Sequence, residues 1–275
     1  MSGFLDSMAQ SSAARVAAAI SGEPLAALER RAAAAPKAPP LRLSPDGFDV
    51  IAEIKLRSPA AGQLGSQSDD WLGRAVAYAR GGAAAVSVLT EPSRFDGSLR
   101  HLECAAEALR PVGVPAMRKD FLVDPYQVAE ARAAGAGGVL LIVRMLTPQR
   151  LQELLDAAAQ FGLFVLLEAF DGADLSTAAR LLRGRERQQP QVLVGINSRD
   201  LQTLKVVPKR FESLSPLLPA GWPAVAESGV ASADDAKQML RLGYRLALIG
   251  TALMTCAEPQ QLLRQIFDAT RTVKT

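Results

Sequence analysis

Eight short, almost unbroken apolar runs recur along this chain, each followed by a longer amphipathic stretch, and that repeat constrains the fold more than any other feature. The runs are Asp49–Lys55, Ala84–Leu89, Val114–Lys119, Gly138–Val143, Phe164–Glu168, Val192–Asn197, Ala224–Glu227 and Leu246–Gly250. Their centres lie roughly 25–35 residues apart, the length of one strand-helix unit. A strand with one wet face alternates apolar and polar residues. These runs do not, so both faces are expected to be buried, as in a parallel sheet covered by helices.

The intervening stretches carry helix punctuation. Ser232 and Asp235 form a capping-box pattern, and Asp124–Pro125 and Thr147–Pro148 set a cap residue before proline at the first helical position. Gly81, Gly135, Gly162 and Gly243 fall where helices should end. Eight such units in sequence predict an α/β fold, a closed (β/α)8 TIM barrel. The alternative is a doubly wound open sheet, which needs edge strands, and no run carries the charge or proline that marks an edge. Before the first run, Pro36, Pro39 and Pro40 stop a helix and force an extended chain. Residues 1–45 therefore read as a helical arm and linker, and 46–275 as the barrel, the whole forming one domain. From Ala13 to Arg31 the arm has an apolar and a polar face, so it is expected to pack against the barrel or lid its mouth rather than bind a membrane.

Composition removes several function classes. A net charge of +3 with acids and bases mixed throughout, and few aromatics, does not resemble a nucleic-acid-binding surface. The mild basic excess suits a small anionic ligand. Two distant cysteines make no disulfide framework, which points to the cytoplasm. With His101 as the single histidine, a His-rich metal cluster is excluded. His101 itself lies in the helical pattern SLRHLECAAEAL, away from strand ends. No apolar run approaches bilayer length, so no membrane partner is expected.

Barrel enzymes place their chemistry at the C-terminal strand ends. In IAEIKLRSP, Glu53 and Lys55 are two apart and share the strand face of Ile51. AMRKDF ends on Lys119, VLLEAF on Glu168, GINSRDL on Asn197 with Arg199 just beyond, and AESGV on Glu227. Two lysines, three glutamates and one asparagine thus converge from five strands. Any single Glu/Lys pair could be a structural ion pair, but desolvating so many charges together is costly unless they serve a ligand. A lysine crowded by like charge would be tuned toward neutral pH and could act as an acid. Ser228–Gly229 after the seventh run and Gly250–Thr251 after the eighth occupy the usual phosphate position of this fold, where glycine admits an anion to backbone N–H groups. Ser58 is a further candidate donor.

IAEIKLRSP, RFDGSLRHL, AMRKDFLVDPYQVAEARAAGA, GGVLLIV, GINSRDLQTL, AESGV and LIGTALM, in this order and spacing, resemble the indole-3-glycerol-phosphate synthase family over roughly Val50 to Pro259, and the arm is similar to that family's N-terminal extension. RKDF with DPYQ, and GINSRDL, are the specific signatures. AESGV and GTALM recur more widely in phosphate-binding barrels. The resemblance implies a carboxy-lyase of tryptophan biosynthesis that needs no metal or organic cofactor. It would convert 1-(2-carboxyphenylamino)-1-deoxyribulose 5-phosphate to indole-3-glycerol phosphate, carbon dioxide and water. By the same resemblance Lys119 would be the general acid at the ketone. Lys55 would meet the aromatic carboxylate, and Glu168 would stabilise or deprotonate the indolinium-like intermediate. Glu53 would pair with the lysines, Asn197 would orient substrate hydroxyls, and Glu227 would complete the catalytic set. Ser58, Ser228, Gly229, Gly250 and Thr251 would hold the phosphate. Phe95, Phe121 and Leu141 would wall the aromatic ring, with Arg199 near the mouth. A monomer or weak homodimer is the expected assembly.

The sequence departs from the family pattern at Ala60 and Ala61, at Gly137 and in the AFD that follows the fifth run. These leave open a paralogue acting on a modified anthranilate-derived substrate. Other rivals are another phosphate-binding barrel lyase or isomerase, a Schiff-base aldolase using Lys119, and a non-catalytic barrel whose polar rim is dispensable.

Overall fold

The computed structural model describes residues 3–45, 47–65, 69–185, 191–201, 203–207 and 209–271. Among these, eight parallel strands close into a barrel. They are β1 (Asp49–Ile54), β2 (Ala85–Leu89), β3 (Ala116–Lys119), β4 (Gly138–Ile142), β5 (Phe164–Ala169), β6 (Val192–Asn197), β7 (Ala224–Glu227) and β8 (Leu246–Ile249). Each strand pairs with its sequence neighbours, and β1 closes the ring against β8 through Asp49↔Leu246 to Ala52↔Ile249. No edge is left to protect, so the open-sheet alternative falls. The strands sit where the apolar runs predict, within two residues. β1 ends at Ile54, so Lys55 is the first residue beyond it, already in the loop.

Period-two alternation divides every strand between two cores. Ile51, Ala85, Met117, Leu140, Leu166, Leu193, Val225 and Leu248 fill the barrel interior. Val50, Ala52, Val86, Leu141, Leu167 and Val194 face outward under the helices. The predicted caps form: Ser232 and Asp235 make a reciprocal capping box, and the Asp124 and Thr147 side chains accept from Tyr126 and Arg150 backbone N–H groups. His101 packs outside the barrel against Trp71, with ring centroids 5.1 Å apart.

The arm forms α1 (Phe4–Gly22) and α2 (Leu25–Ala34). Leu28 of α2 is fully buried beside Tyr126 and Ala129 of the helix Pro125–Ala133. The Tyr126 hydroxyl donates to the Glu23 carbonyl at 2.8 Å, and Gln127 Nε2 donates to Ser12 Oγ at 2.9 Å. Arg15 of α1 grips the buried Asp120 with two hydrogen bonds of 2.9 and 2.8 Å. The arm is therefore tied to the segment that follows β3, at the mouth of the barrel.

Candidate active site

Glu53, Lys55, Lys119, Glu168, Asn197 and Glu227 all line one cavity of about 450 Å³ at the C-terminal ends of the strands. Ser58, Phe95, Phe121, Arg199, Ser228, Gly229, Gly250 and Thr251 line the same cavity. Leu141 does not. It is fully buried in the outer core, and its neighbours Leu140 and Ile142 line the cavity instead. Strand parity is the reason: Gly138, Leu140 and Ile142 share the inward face of β4, so Leu141, expected in the ring wall, points at the helices instead.

Glu53 is the electrostatic hub. Lys55 Nζ lies 2.9 Å from its Oε1, and Lys119 Nζ 3.4 Å from its Oε2. Burial alone would raise the Glu53 carboxyl, but the two ammonium groups reverse this and hold it at about 2. Lys119 behaves opposite to the like-charge expectation. Burial pulls its ammonium down, yet Glu53, Glu168 and Glu227 outweigh that and hold it above the ordinary lysine range. The neighbours of Lys119 are carboxyls, so it stays a charged donor across neutral pH.

Two glycines create the space these carboxylates need. A Cβ on Gly250 would lie 2.3 Å from Glu53 Oε1, and one on Gly195 would lie 2.0 Å from Glu227 Oε1. Glu53 and Glu227 thus occupy the volume of side chains that β6 and the end of β8 lack. Asn197 stands in register with Glu227. Its Oδ1 accepts from the Arg199 backbone N–H at 2.9 Å, which leaves the amide nitrogen as the polar end free to face the cavity. Arg199 itself is steadied by the Leu204 carbonyl at 2.7 Å.

The turns beyond β7 and β8 bring backbone to the cavity wall. Ser228 and Gly229 both adopt left-handed φ values of 63° and 92°, so their turn curls tightly, and Ser198 Oγ pins it through the Ser228 carbonyl at 2.6 Å. Gly250 caps a short helix Thr251–Thr255 whose first N–H groups lack intrahelical partners. Ser58 Oγ accepts from Ala61 N–H at 3.0 Å, which keeps the hydroxyl proton available.

Sequence reasoning missed the arm's part in the wall. Phe4 and Leu5 line the cavity, and Phe4 meets Phe121 edge-on with centroids 5.9 Å apart. Phe121 in turn lies 6.2 Å from Phe95. The apolar spacing of Phe4, Leu5 and Met8 was a legible signal of an inward face, but not of what that face would meet. Leu201, Leu204, Val206 and Val230 complete the rim from loops with no motif of their own.

A closed barrel with lysines and carboxyl groups gathered at its strand ends, and tight glycine-bearing turns beyond β7 and β8, defines a (β/α)8 barrel with a charged pocket at its C-terminal face. Solved structures bear out the fold: 3-hexulose-6-phosphate synthase from Salmonella typhimurium aligns with a TM-score of 0.60 at 14% identity, covering 82% of this chain and all of that one. Thiamine phosphate pyrophosphorylase from Pyrococcus furiosus aligns at 0.58 and 15% identity, over 84% of this chain and 98% of that one. At sequence level, residues 5–266 match the family model for indole-3-glycerol phosphate synthase. Indole-3-glycerol phosphate synthases from Leifsonia xyli and a Nocardioides species are each 44% identical to this chain. The alignments cover 84% and 80% of this chain, and 86% and 80% of the relatives. The Rhodococcus jostii relative is 38% identical over 96% of this chain and 95% of its own length. This chain belongs to the indole-3-glycerol phosphate synthase family.

Proposed function

We propose that this enzyme closes, decarboxylates and dehydrates 1-(2-carboxyphenylamino)-1-deoxyribulose 5-phosphate to indole-3-glycerol phosphate, without a metal or organic cofactor. The observation that carries this reading is the Lys55–Glu53–Lys119 bridge, set in one pocket with an aromatic wall on the arm side and backbone anion turns at Ser228 and Gly250.

Lys119 donates to the ketone oxygen as the ring closes, since its carboxyl neighbours keep the ammonium charged. Lys55 meets the aromatic carboxylate. Phe95, Phe121 and Phe4 wall the ring, with Leu140 and Ile142 in the place first expected of Leu141. Loss of carbon dioxide is favoured where the carboxylate leaves water for such a wall. Glu168, ionised beside Lys119, serves as the base that restores aromaticity. Ser58, Ser228, Gly229, Gly250 and Thr251 take the phosphate through hydroxyl and backbone donors. Arm and barrel act as one domain in this account, because Phe4 belongs to the pocket. Among the described residues no helix is long and apolar enough to cross a membrane, and we place the reaction in the cytoplasm.

A Schiff-base aldolase requires a neutral amine, and the carboxylates around Lys119, Glu53 first, oppose that. The test is direct. Pure protein with the anilino-deoxyribulose phosphate should generate indole fluorescence, with and without chelator. No signal, loss of the signal with chelator, or a borohydride-stable adduct on Lys119 would defeat the proposal.

A further inference from the structure

Glu227 has a role that no step above requires. It is 1% exposed, and among the described residues no N–H or O–H donor reaches either of its oxygens. What it faces is another carboxyl. Glu168 on β5 stands in register with Gly195 on β6. Glu227 on β7 leans across β6 through the gap left by that same glycine, with Oε1 2.0 Å from where a Cβ would stand. Two carboxyls from strands on either side of β6 therefore converge over a residue with no side chain.

Two buried carboxylates in contact cannot both stay ionised. The other charged groups facing Glu227 are Glu53 from β1 and Lys119 from β3, and the two are already paired with each other. Lys55 is likewise engaged by Glu53, and Arg199 donates to a backbone carbonyl. Among the described residues no cation is left over for Glu227. Burial raises the Glu168 carboxyl as well, but the nearby charge of Lys119 and the Asn197 amide offset part of that rise, so Glu168 is displaced less than Glu227.

We propose that Glu168 and Glu227 share one proton, resident on Glu227 and donated to Glu168, so that Glu168 is the ionised member and Glu227 is a neutral positioning residue. Burial and the charge of Glu168 both push the Glu227 carboxyl well above the ordinary carboxylate range, in agreement with the geometry. The consequence for the reaction rests on the function proposed above. With Glu227 neutral, the inner site balances two ammonium groups against two carboxylates. A third negative charge would repel a substrate that already carries a phosphate and a carboxylate. The hydrogen bond from Glu227 also fixes which Glu168 oxygen is free to take a proton.

The proton can be read without turnover. The unliganded enzyme, labelled with carbon-13 at glutamate carboxyls, is followed by infrared difference spectroscopy through a pH titration, beside Glu227→Gln and Glu168→Gln. The expected result is a protonated-carboxyl band at neutral pH that is absent from Glu227→Gln and retained in Glu168→Gln with its midpoint moved to lower pH. A fully ionised glutamate set at neutral pH, or a band that survives Glu227→Gln, overturns the proposal. In turnover, Glu168→Gln should lose about 10²–10⁴-fold in kcat, as for removal of a general base. Glu227→Gln, whose amide still donates to Glu168, should lose less than about tenfold, below what loss of a general base costs. Equal losses would make Glu227 the base and overturn the assignment. Failure of the wild-type enzyme to form indole product would defeat the functional reading while leaving the band intact, so the two failures are distinguishable.

Discussion

Replacing Arg15 with methionine should loosen the arm by an amount that the structure bounds. Asp120 is fully buried and takes four partners: Arg15 from α1, Arg118 at 3.3 Å, Thr90 Oγ1 at 2.7 Å and the Phe121 N–H at 2.8 Å. Burial pushes its carboxyl up, but Arg15, Arg118 and Thr90 more than reverse this and hold it at about 2 against an ordinary 3.8. That difference corresponds to about 2–3 kcal/mol in favour of the ionised form. Arg15 acts through both its hydrogen bonds and its charge, so its share is on the order of 1–2 kcal/mol, less than for a wholly buried pair because its side chain is 29% exposed. A double-mutant cycle of Arg15→Met with Asp120→Asn, read by urea unfolding, should return a coupling of that size at neutral pH. The folded value is depressed, so the stabilisation is present above the unfolded value of 3.8 and is lost as pH falls through about 2. Arg15→Met should also raise KM, since α1 carries Phe4 into the pocket wall. A coupling below about 0.3 kcal/mol, the ordinary error of additivity, or one that does not fade in acid, would refute the reasoning.

Lys119→Ala should keep its far-ultraviolet dichroism and lose at least about 10²-fold in kcat; near-normal turnover would remove Lys119 from the acid role. Leu141→Ala should cost about 2–5 kcal/mol of stability with KM unchanged, whereas Leu140→Ala should raise KM; the reverse pattern would return Leu141 to the ring wall. Gly250→Ala and Gly195→Ala press a methyl group against Glu53 or Glu227 and should each destabilise by about 1–3 kcal/mol while lowering kcat; unchanged kinetics would mean that those carboxyl groups are not held where they work. The folded value of Lys119 is raised, so its stabilisation is complete below the ordinary 10.5 and is lost only as pH rises through the higher folded value. Acylation at about pH 9, mapped by mass spectrometry, should therefore spare Lys119 and label the exposed Lys209; fast modification of Lys119 would contradict this.

The barrel was legible because its signal is local. Strands buried on both faces must be apolar throughout, and their spacing is the length of one strand-helix unit, so all eight could be found without knowing any contact. The strand-end groups were legible for the same reason: a Glu or Lys closing an apolar run in a barrel has one place to go. Leu141 failed at a finer level. GVLLI is apolar at every position, so composition does not say which residues face inward, and the parity had to be counted from Gly138. The ionisation of Lys119 was misjudged because sequence shows which charges occur and not which are neighbours. Strand pairing sets Lys119 beside Leu89, while Glu53, Glu168 and Glu227 reach it across the mouth. Phe4 lay further from inference still, since more than 100 residues separate it from Phe121.

Gly195 and Gly250 show why the charged groups could gather at all. The interior of an eight-stranded barrel is filled by its own side chains, with no spare volume for an inward carboxylate. Glu227 and Glu53 fit because a neighbouring residue contributes none. Below them Ile51, Met117, Leu140, Leu166, Leu193 and Val225 close the barrel to water, and above them Phe4 and Phe121 narrow the mouth. In so dry a space each charge feels its neighbour more strongly than it would at the surface, which is why Glu53 is driven to about 2 while Lys119 moves the other way. The ionisation states are thus a result of packing. A methyl group at Gly250 should alter the charge on the site more than removal of Arg199, whose guanidinium holds a backbone carbonyl and, among the described residues, no carboxylate. Comparing the acid limbs of stability for Gly250→Ala and Arg199→Ala decides it: only the glycine variant should shift the limb set by Glu53, and equal shifts would mean that the packing argument is wrong.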